Sequence, residues 1–265
     1  MDKKKLKSEN TKLVIAISSR ALFNLDQSHK IFKEKGIEAY AKHQQENEHV
    51  ILEPGVGFTL VKKLLKLNSK KTPIDVILLS RNSADTGLRI FNSIEHYDLN
   101  ISRAAFTRGE STHPFVGAFE ADLFLSSNYN DVQKALQSGY AAASIVESKS
   151  NNSHPSQLRI AFDGDAVIFS DEAERIFQEK GLEAFHENEI LSEKIELKAG
   201  PFKSFLVSLQ KIQSTFPEEN NPIRTALVTA RSAPSHRRVI HTMREWGIRI
   251  DESFFLGGLE KGVFL

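Results

Sequence analysis

The feature of this sequence that most constrains its fold is an internal repeat. The segment "IAISSRALFNLDQSHKIFKEKGIEAY" (Ile15–Tyr40) aligns without a gap on "IAFDGDAVIFSDEAERIFQEKGLEAF" (Ile160–Phe185), at an offset of 145 residues. Further along, "LLSRNSADTGLRIFNSIEHYDLNI" matches "LVTARSAPSHRRVIHTMREWGIRI" at an offset of 149 residues. A match that persists in order over such lengths indicates a duplication. The chain is therefore predicted to contain two copies of one fold.

Each half alternates apolar strands with helical stretches. In both halves a strand (Leu13–Ile17; Leu158–Phe162) precedes a helix ending in "EKG", whose glycine suits an αL cap. A polar helical segment and an amphipathic helix follow, then a second strand (Val76–Leu79; Thr225–Val228), a further helix and a short strand. Strands that alternate with helices favour an α/β fold with parallel sheets and flanking helices.

Shifts in composition mark the expected domain boundaries. Residues 1–11 form a polar tail with the basic run "KKKLK", which we interpret as a solvated end; a tether to an anionic surface is the alternative. A Ser/Asn-rich linker at residues 147–157 separates a first half at 12–146 from a second half at 158–265.

The overall composition narrows the class of function. A formal net charge of +1 gives no global field that would attract nucleic acid or an anionic membrane. The absence of cysteine excludes disulfides, thiolate chemistry and Cys-based zinc sites. No apolar run approaches the roughly 18 residues of a membrane span, and no signal-peptide segment follows the N-terminus. We therefore expect a soluble cytoplasmic protein without nucleic-acid or membrane partners.

The two halves differ in the polar residues at their strand ends, although their packing residues agree. Ser18 stands where the second half has Asp163, and Arg20 stands where it has Asp165. If the aspartates served the fold, the first half would need them too. Their restriction to one copy favours a function located in the second half.

The stretch "AFDGDAVIFSDE" places two aspartates where the first strand of the second half ends, and ligands of open α/β sheets bind at such ends. Asp163 could attack phosphorus as a nucleophile, and Asp165 could act as general acid and base. Gly164 allows close approach of the backbone to a bound phosphate. The short pattern is equally compatible with a surface turn or a structural cation site.

The stretch "TALVTARSA" supplies a second group of candidates. Thr229 ends an apolar strand, so its hydroxyl and the amides of Ala230 and Ser232 can meet an anion. Arg231 could add a bidentate phosphate contact. A helix N-cap by a nearby serine explains the same residues. Lys261 in "GGLEKG" is a candidate charge for a phosphoryl group, although such a lysine usually belongs to a solvated loop.

Taken in order, Asp163-Gly164-Asp165, Thr229 and Lys261 resemble motifs one to three of the haloacid-dehalogenase-superfamily phosphohydrolases. More narrowly, "AFDGDAVIFSDEAERI", "PIRTALVTARSA", "FNSIEHYDLNISRAAFT" and "IAISSRALF" resemble the type I cytosolic 5′-nucleotidases, over residues 12–265. The resemblance implies a Rossmann-like fold and a cytosolic enzyme. It also implies magnesium-dependent hydrolysis of nucleoside 5′-monophosphates such as AMP or IMP through an aspartyl-phosphate intermediate.

The resemblance also assigns roles to individual residues. It makes Asp163 the nucleophile and Asp165 the acid/base, and it places Thr229 and Lys261 on the phosphoryl oxygens. It implies that the Asp163 carboxylate and the Asp165 backbone carbonyl hold Mg²⁺, which screens the carboxylate from the phosphate.

A small helical cap that reads the nucleoside is expected at about residues 171–200, where such enzymes carry an insertion. Phe177, Phe185 and His186 are candidate base-stacking groups within it. Core packing is the favoured interpretation of the two phenylalanines, and a surface position is favoured for the histidine.

The fourth motif of the family, an acidic pair that ends another strand, is missing before residue 265. The first half continues past the matching point through a further strand and helix, and it has Ser126 and Ser127 where the acidic pair would stand. We therefore expect the second half to lack a final strand and motif four. An uncovered sheet edge would follow, and homo-oligomerisation through it is a further hypothesis.

Several functions remain open on these residues. The chain could be a truncated piece of an active nucleotidase, a catalytically impaired nucleotide-binding or regulatory protein, or a phosphatase for another small phosphate ester. The first half could hold a regulatory nucleotide or serve as a packing partner, and packing is the favoured interpretation because its strand ends offer no metal ligands.

Overall fold

The structure is a computed structural model that describes residues 12–146 and 156–264. The basic run of the N-terminal tail and most of the linker expected at residues 147–157 lie outside the described residues. The chain divides into two compact units, Met1–Asn152 and Ser153–Leu265, called the first and second unit below.

The first unit is built on a five-stranded sheet in which all neighbours run parallel, in the order β3-β2-β1-β4-β5. The strands are β1 (Leu13–Ser18), β2 (Ile74–Ser80), β3 (Arg103–Phe106), β4 (Leu123–Ser126) and β5 (Ala142–Ser144). The helices are α1 (Ser19–Leu22), α2 (Asp26–Glu46), α3 (Phe58–Lys66), α4 (Leu88–His96), α5 (Pro114–Ala118) and α6 (Tyr129–Gln137). Apolar side chains of β1, β2 and β4 form a buried core with those of α5 and α6.

The second unit has a three-stranded parallel sheet in the order β6-β7-β8. Its strands are β6 (Leu158–Asp163), β7 (Ile223–Thr229) and β8 (Glu252–Phe255), and its helices are α7 (Glu172–Leu191), α8 (Lys203–Gln213) and α9 (His236–Glu245). The predicted α/β fold with parallel sheets and flanking helices is confirmed. Both predicted strands of each half are present, and each strand is one to three residues longer than its apolar pattern indicated.

Equivalent hydrogen bonds show that the sequence repeat is also a structural repeat. In the first unit, Nε of Arg89 on α4 donates to the carbonyl of Val50 at 2.8 Å. In the second unit, Nε of Arg238 on α9 donates to the carbonyl of Ile195 at 2.8 Å. The donors are 149 residues apart and the acceptors 145, as the two alignments predict.

A glycine interrupts the first long helix of each unit. Gly36 breaks α2 with φ 81° and ψ −175°, and Gly181 breaks α7 with φ 82° and ψ −178°. The positive φ expected of the "EKG" glycines is confirmed, and glycine adopts it without steric cost. The αL cap is wrong in detail, because ψ is extended and the chain continues into a second helical stretch.

The turns that follow β1 and β6 differ by one residue. In the first unit, the amide of Phe23 donates to the carbonyl of Ser19, closing an α-helical turn. In the second unit, the amide of Phe169 donates to the carbonyl of Gly164, which closes a wider turn over Gly164–Ile168, here called the π turn; Asp165 and Ala166 within it have non-helical backbone angles. The gapless alignment is therefore wrong by one residue in this stretch, and the offset of 145 returns at the glycine kinks.

The first strands of the two units differ in their neighbours. β1 lies between β2 and β4, and Leu13–Ile17 is buried throughout. β6 pairs with β7 alone, and Arg159 and Ala161 are exposed. Within residues 156–264, no strand pairs with the outer side of β6. Homo-oligomerisation through this edge stays a prediction.

Candidate functional site

The carboxyl ends of β6 and β7 bring the first candidate residues together. β6 ends at Asp163 and β7 ends at Thr229, and the two strands are parallel neighbours. Oδ1 of Asp163 accepts a hydrogen bond from the amide of Gly164 at 2.7 Å. A Cβ added to Gly164 would lie 3.0 Å from Oγ1 of Thr229. The turn after β6 therefore packs directly on the hydroxyl of Thr229, and a side chain at Gly164 would force the two apart.

Lys261, near the end of the second unit in sequence, also lies at this site. Its Nζ donates to Oδ2 of Asp163 at 2.5 Å. The two side chains are 36% and 40% exposed, so the ion pair lies open to solvent. A phosphate that enters here meets both a carboxylate able to attack phosphorus and an ammonium group able to bind its oxygens.

Asp165 is held by a planar guanidinium. Nε and Nη2 of Arg231 donate to Oδ2 and Oδ1 of Asp165 at 2.9 and 2.7 Å. The side chain of Arg231 is 2% exposed and that of Asp165 is 19% exposed. Such a bidentate pair fixes the orientation of the carboxylate. The sequence analysis predicts that Arg231 binds phosphate. In the structure this guanidinium is bound to carboxylates, so the phosphate contact stays a prediction.

A buried glutamate on α7 completes the arginine's environment. Nη1 of Arg231 donates to Glu189, and Nη1 of Arg238 on α9 donates to the other Glu189 oxygen at 2.8 Å. Burial alone would lower the pKa of Arg231, but the hydrogen bonds and charges of Asp165 and Glu189 outweigh it and raise that pKa. The network ties Asp165 to the helix expected to act as a cap.

Sequence reasoning missed Glu189, although a signal was present. At the offset of 145, Glu189 aligns with Gln44, which accepts a hydrogen bond from Arg89 at 3.2 Å in the first unit. Arg89 in turn aligns with Arg238. The repeat therefore keeps the helix-to-helix contact and changes the acceptor from an amide to a carboxylate.

The remaining phosphate-binding candidates lie just after β7. Thr229 is completely buried, and its Oγ1 accepts a hydrogen bond from the amide of Arg231 at 3.2 Å, which leaves its own proton free to donate. Ala230 is exposed and Ser232 is partly exposed. Oγ of Ser232 makes only a 3.4 Å contact with the carbonyl of Ala233. The phosphate contacts of these residues stay predictions.

The segment predicted as a cap is largely helical. Within α7, Phe185 is buried and its ring lies 5.5 Å from the guanidinium carbon of Arg231, so core packing describes it. Phe177 is 45% exposed, which contradicts core packing for this residue. His186 is half-buried, with its ring 5.6 Å from that of Phe185.

The metal implied by the sequence resemblance has suitable donors at this site. The Asp163 carboxylate and the Asp165 backbone carbonyl supply oxygen, the ligand type that Mg²⁺ prefers. Within residues 12–146 and 156–264, no group of three or more His, Cys, Asp or Glu side chains could hold a metal. The residues therefore fit magnesium in kind, with water and substrate phosphate completing its coordination.

Comparisons with known proteins identify the family of this chain. The model of the 5′-nucleotidase family matches residues 5–265. Cytosolic 5′-nucleotidase 1B of Homo sapiens is 40% identical over 267 aligned residues, which cover 96% of this chain and 44% of that protein. No solved structure matches the chain significantly. The chain is an α/β protein with parallel sheets, and it belongs to the 5′-nucleotidase family.

Two further facts concern the coverage of this match and the character of the helices. The chain spans less than half the length of the curated relative that it matches. In the part of the chain that the structure describes, no helix has both the length and the apolar character needed to cross a membrane.

Proposed function

We propose that this chain is a cytoplasmic, magnesium-dependent 5′-nucleotidase that converts nucleoside 5′-monophosphates such as AMP or IMP to nucleoside and phosphate. One observation carries the proposal: Asp163 and Lys261, 98 residues apart in sequence, meet at 2.5 Å. They do so at the carboxyl end of β6, beside Thr229 on β7, in a member of the 5′-nucleotidase family.

The residues of the site suffice to describe a two-step displacement. An oxygen of Asp163 attacks phosphorus, the bond from phosphorus to O5′ of the nucleoside breaks, and an aspartyl phosphate forms. Water then attacks the same phosphorus, the bond to the Asp163 oxygen breaks, and phosphate leaves. Lys261 and the hydroxyl of Thr229 hold phosphoryl oxygens through both steps, where negative charge must be stabilised.

Asp165 is the group placed to move protons. It donates a proton to the departing O5′ oxygen in the first step and accepts one from the attacking water in the second. Its Oδ2 accepts one hydrogen bond from Arg231, at 2.9 Å, and retains a lone pair for this exchange. Arg231 acts as a positioning residue, since its bidentate contact fixes where the carboxylate lies.

When bound, Mg²⁺ would screen the negative charge of the Asp163 carboxylate from that of the phosphate. The Asp163 carboxylate and the Asp165 carbonyl would hold the ion. We expect weak binding of the ion without substrate, because the protein offers few ligands.

Phosphate release from AMP, IMP and pyrimidine monophosphates, with magnesium or with a chelator, tests the proposal. Asp163→Asn should lower kcat by at least about a thousandfold, because the amide is not a nucleophile. Asp171→Asn is the matched control: this carboxylate is 59% exposed, lies in the same unit, and pairs with the exposed Arg175 at 3.5 Å. Full activity of Asp163→Asn, or no release from any monophosphate, would contradict the mechanism.

A second candidate, nucleotide binding without turnover, is favoured by one specific observation. Both site carboxylates are paired with cations, Asp163 with Lys261 and Asp165 with Arg231. Such pairing could hold a bound phosphate without attack. Calorimetric binding of AMP combined with the absence of phosphate release would support this alternative, and robust turnover would exclude it. Turnover of other small phosphate esters, but not of nucleotides, would instead identify a phosphatase of different specificity.

A further inference from the structure

The first unit contains a cavity of about 860 Å³ at the carboxyl ends of its strands. Side chains at or after the ends of β1, β2, β3 and β4 line it, and α2 contributes a further wall. Its volume lies within the range of small-molecule sites. Its place at the strand ends is where open α/β sheets bind ligands.

Arginines follow three of the strands that meet at this cavity. Arg20 follows β1, and its Nη2 lies 3.1 Å from a carboxylate oxygen of Asp26. The side chain of Asp26 is 76% exposed. Arg81 follows β2 and donates from Nε and Nη2 to both oxygens of Asp131, at 2.9 and 2.7 Å. The carboxylate of Asp131 is thus neutralised by one of the three arginines. Arg108, after β3, provides positive charge that Asp131 does not offset.

Arg108 is the cation best placed for an external anion. It is exposed, and in the described part of the chain its guanidinium makes no ion pair. Its backbone has φ 49°, an uncommon conformation for a non-glycine residue, and its amide donates to the carbonyl of Asn82 at 3.0 Å. The two other carboxylates that line the cavity, Glu38 and Asp85, come from α2 and from the turn before α4.

Serine hydroxyls line the same cavity as these cations. Oγ of Ser18 accepts a hydrogen bond from the amide of Ser127 at 3.3 Å, and Oγ of Ser126 accepts one from the amide of Asn128 at 3.0 Å. Each hydroxyl is used as an acceptor in these contacts and keeps its proton to donate. Arginines and donating hydroxyls together suit a phosphate, which offers only acceptors at its ionised oxygens.

The wall formed by α2 is aromatic. The rings of His29 and Phe32 are stacked with centroids 6.2 Å apart, and Tyr40 meets Phe32 edge-on at 6.1 Å. Phe32 and Ile37 both line the cavity and are 44% and 59% exposed, so their apolar surfaces are open to a ligand. Burial, and then the charge of Arg20, lower the pKa of His29, so its imidazole is neutral at neutral pH and suited to stacking.

We propose that this cavity binds a phosphorylated small molecule that carries an aromatic ring, of the nucleotide type, and does not hydrolyse it. The phosphate contacts Arg108 and Arg20, and the ring lies against Phe32. Hydrolysis is not expected, because β1 ends at Ser18, whereas β6 of the second unit ends at Asp163. No carboxylate stands at the end of β1 to attack phosphorus.

Equilibrium binding tests the proposal in a background that removes the second unit's chemistry. Asp163→Asn with Lys261→Ala prevents turnover, so the result does not depend on whether the chain is a nucleotidase. The probes are AMP, ADP, adenosine and inorganic phosphate. Arg108→Ala and Phe32→Ala should each raise the Kd of AMP about tenfold, through loss of a charged hydrogen bond and of ring stacking. Adenosine and inorganic phosphate should bind more weakly than AMP.

Lys71→Ala is the matched control, because Lys71 is an exposed cation of the same unit that precedes β2, at the opposite end of the sheet. It should leave the Kd of AMP unchanged. The proposal is overturned if AMP does not bind this background, if Arg108→Ala and Phe32→Ala leave its Kd unchanged, or if adenosine binds as tightly as AMP. Thermal unfolding of each variant checks that the first unit remains folded.

Discussion

The two units have one scaffold and different strand ends. Both place two parallel strands side by side and return through equivalent helices, with Arg89 and Arg238 making the same backbone contact. At the end of the first strand, one unit has serine and arginine and the other has two aspartates. The comparison shows that packing positions determine the scaffold, whereas a few polar positions determine which ligand chemistry the scaffold can carry.

A second difference lies in the turn that follows. The first unit makes a turn of α-helix over Ser19–Leu22, and the second makes the wider π turn over Gly164–Ile168. The extra residue falls beside the carboxylates, and Ala166 has φ 62°. We infer that the insertion, and not the aspartates alone, sets the position of Asp165.

A third difference is the charge between the helices. In the first unit, Arg89 meets the neutral Gln44, and burial lowers the pKa of this arginine. In the second unit, Arg231 and Arg238 share Glu189, and the pKa of Arg231 is raised despite its burial. A second buried arginine therefore requires a buried carboxylate, which the first unit does not need.

The largest expected effect comes from giving the second unit the residue of the first. Asp163→Ser should lower kcat for AMP by at least about a thousandfold, because it removes the proposed nucleophile and a magnesium ligand. Phosphate release at saturating magnesium measures the effect. The reciprocal Ser18→Asp should create no activity in that background, since the first unit lacks both the π turn and a second carboxylate. Recovery of turnover by Ser18→Asp would show that one carboxylate is enough.

The next effect concerns the buried network. Glu189→Gln leaves two buried arginines without a carboxylate and should lower the free energy of unfolding of the second unit by about 3 kcal/mol. Trp246 is the only tryptophan and lies in this unit, so its fluorescence during urea unfolding reports on the unit selectively.

The matched exchange in the first unit is Gln44→Glu. It adds a carboxylate next to Arg89, where the gain of an ion pair offsets much of the cost of burying a charge, and we expect a change within about 1 kcal/mol. Amide hydrogen exchange in α4 measures it. Equal losses in both units would mean that the carboxylate in the second unit is not specifically required.

The scaffold was readable from sequence because its signals are local or repeated. Apolar runs such as Leu13–Ile17 and the glycines of "EKG" indicate strands and a kink within short windows, and the duplication provides a second reading of each. Only the family resemblance assigned Asp163 and Lys261 to one site, since no local pattern relates residues that far apart, and their direct contact was not predicted.

Two features of the site could not be read from the sequence, for physical reasons. The π turn depends on tertiary packing around Gly164, and a gapless alignment conceals it because an extra residue in the turn is compensated before Gly181. The partner of Arg231 depends on the orientation of its side chain, and a guanidinium suits carboxylates as well as phosphates. Sequence reasoning chose phosphate, and it did not consider Glu189.

Equivalent glycines in the two units should respond unequally to a methyl group. A Cβ at Gly200 would lie 2.4 Å from the carbonyl oxygens of Phe169 and Val167, and a Cβ at Gly55 would lie 2.9 Å from that of Ala21. Since backbone must move, Gly200→Ala should cost about 2 kcal/mol of unfolding free energy, and Gly55→Ala less. Gly262→Ala, whose nearest atom is 3.9 Å away, is the control and should be neutral. Equal costs at Gly55 and Gly200 would contradict the tighter packing of the π turn.

The smallest expected effect tests the strain in the π turn itself. Ala166 has φ 62°, a conformation that costs an alanine about 1 kcal/mol and glycine almost nothing. Ala166→Gly should therefore raise the free energy of unfolding of the second unit by about 0.5 kcal/mol, after the greater freedom of glycine in the unfolded chain is subtracted. Ala184→Gly, in the helical part of α7, should lower it by about 1 kcal/mol. Both substitutions replace alanine with glycine, and Trp246 fluorescence follows the unfolding of each variant. A loss of stability in both variants would show that the turn after Asp165 carries no strain that glycine relieves.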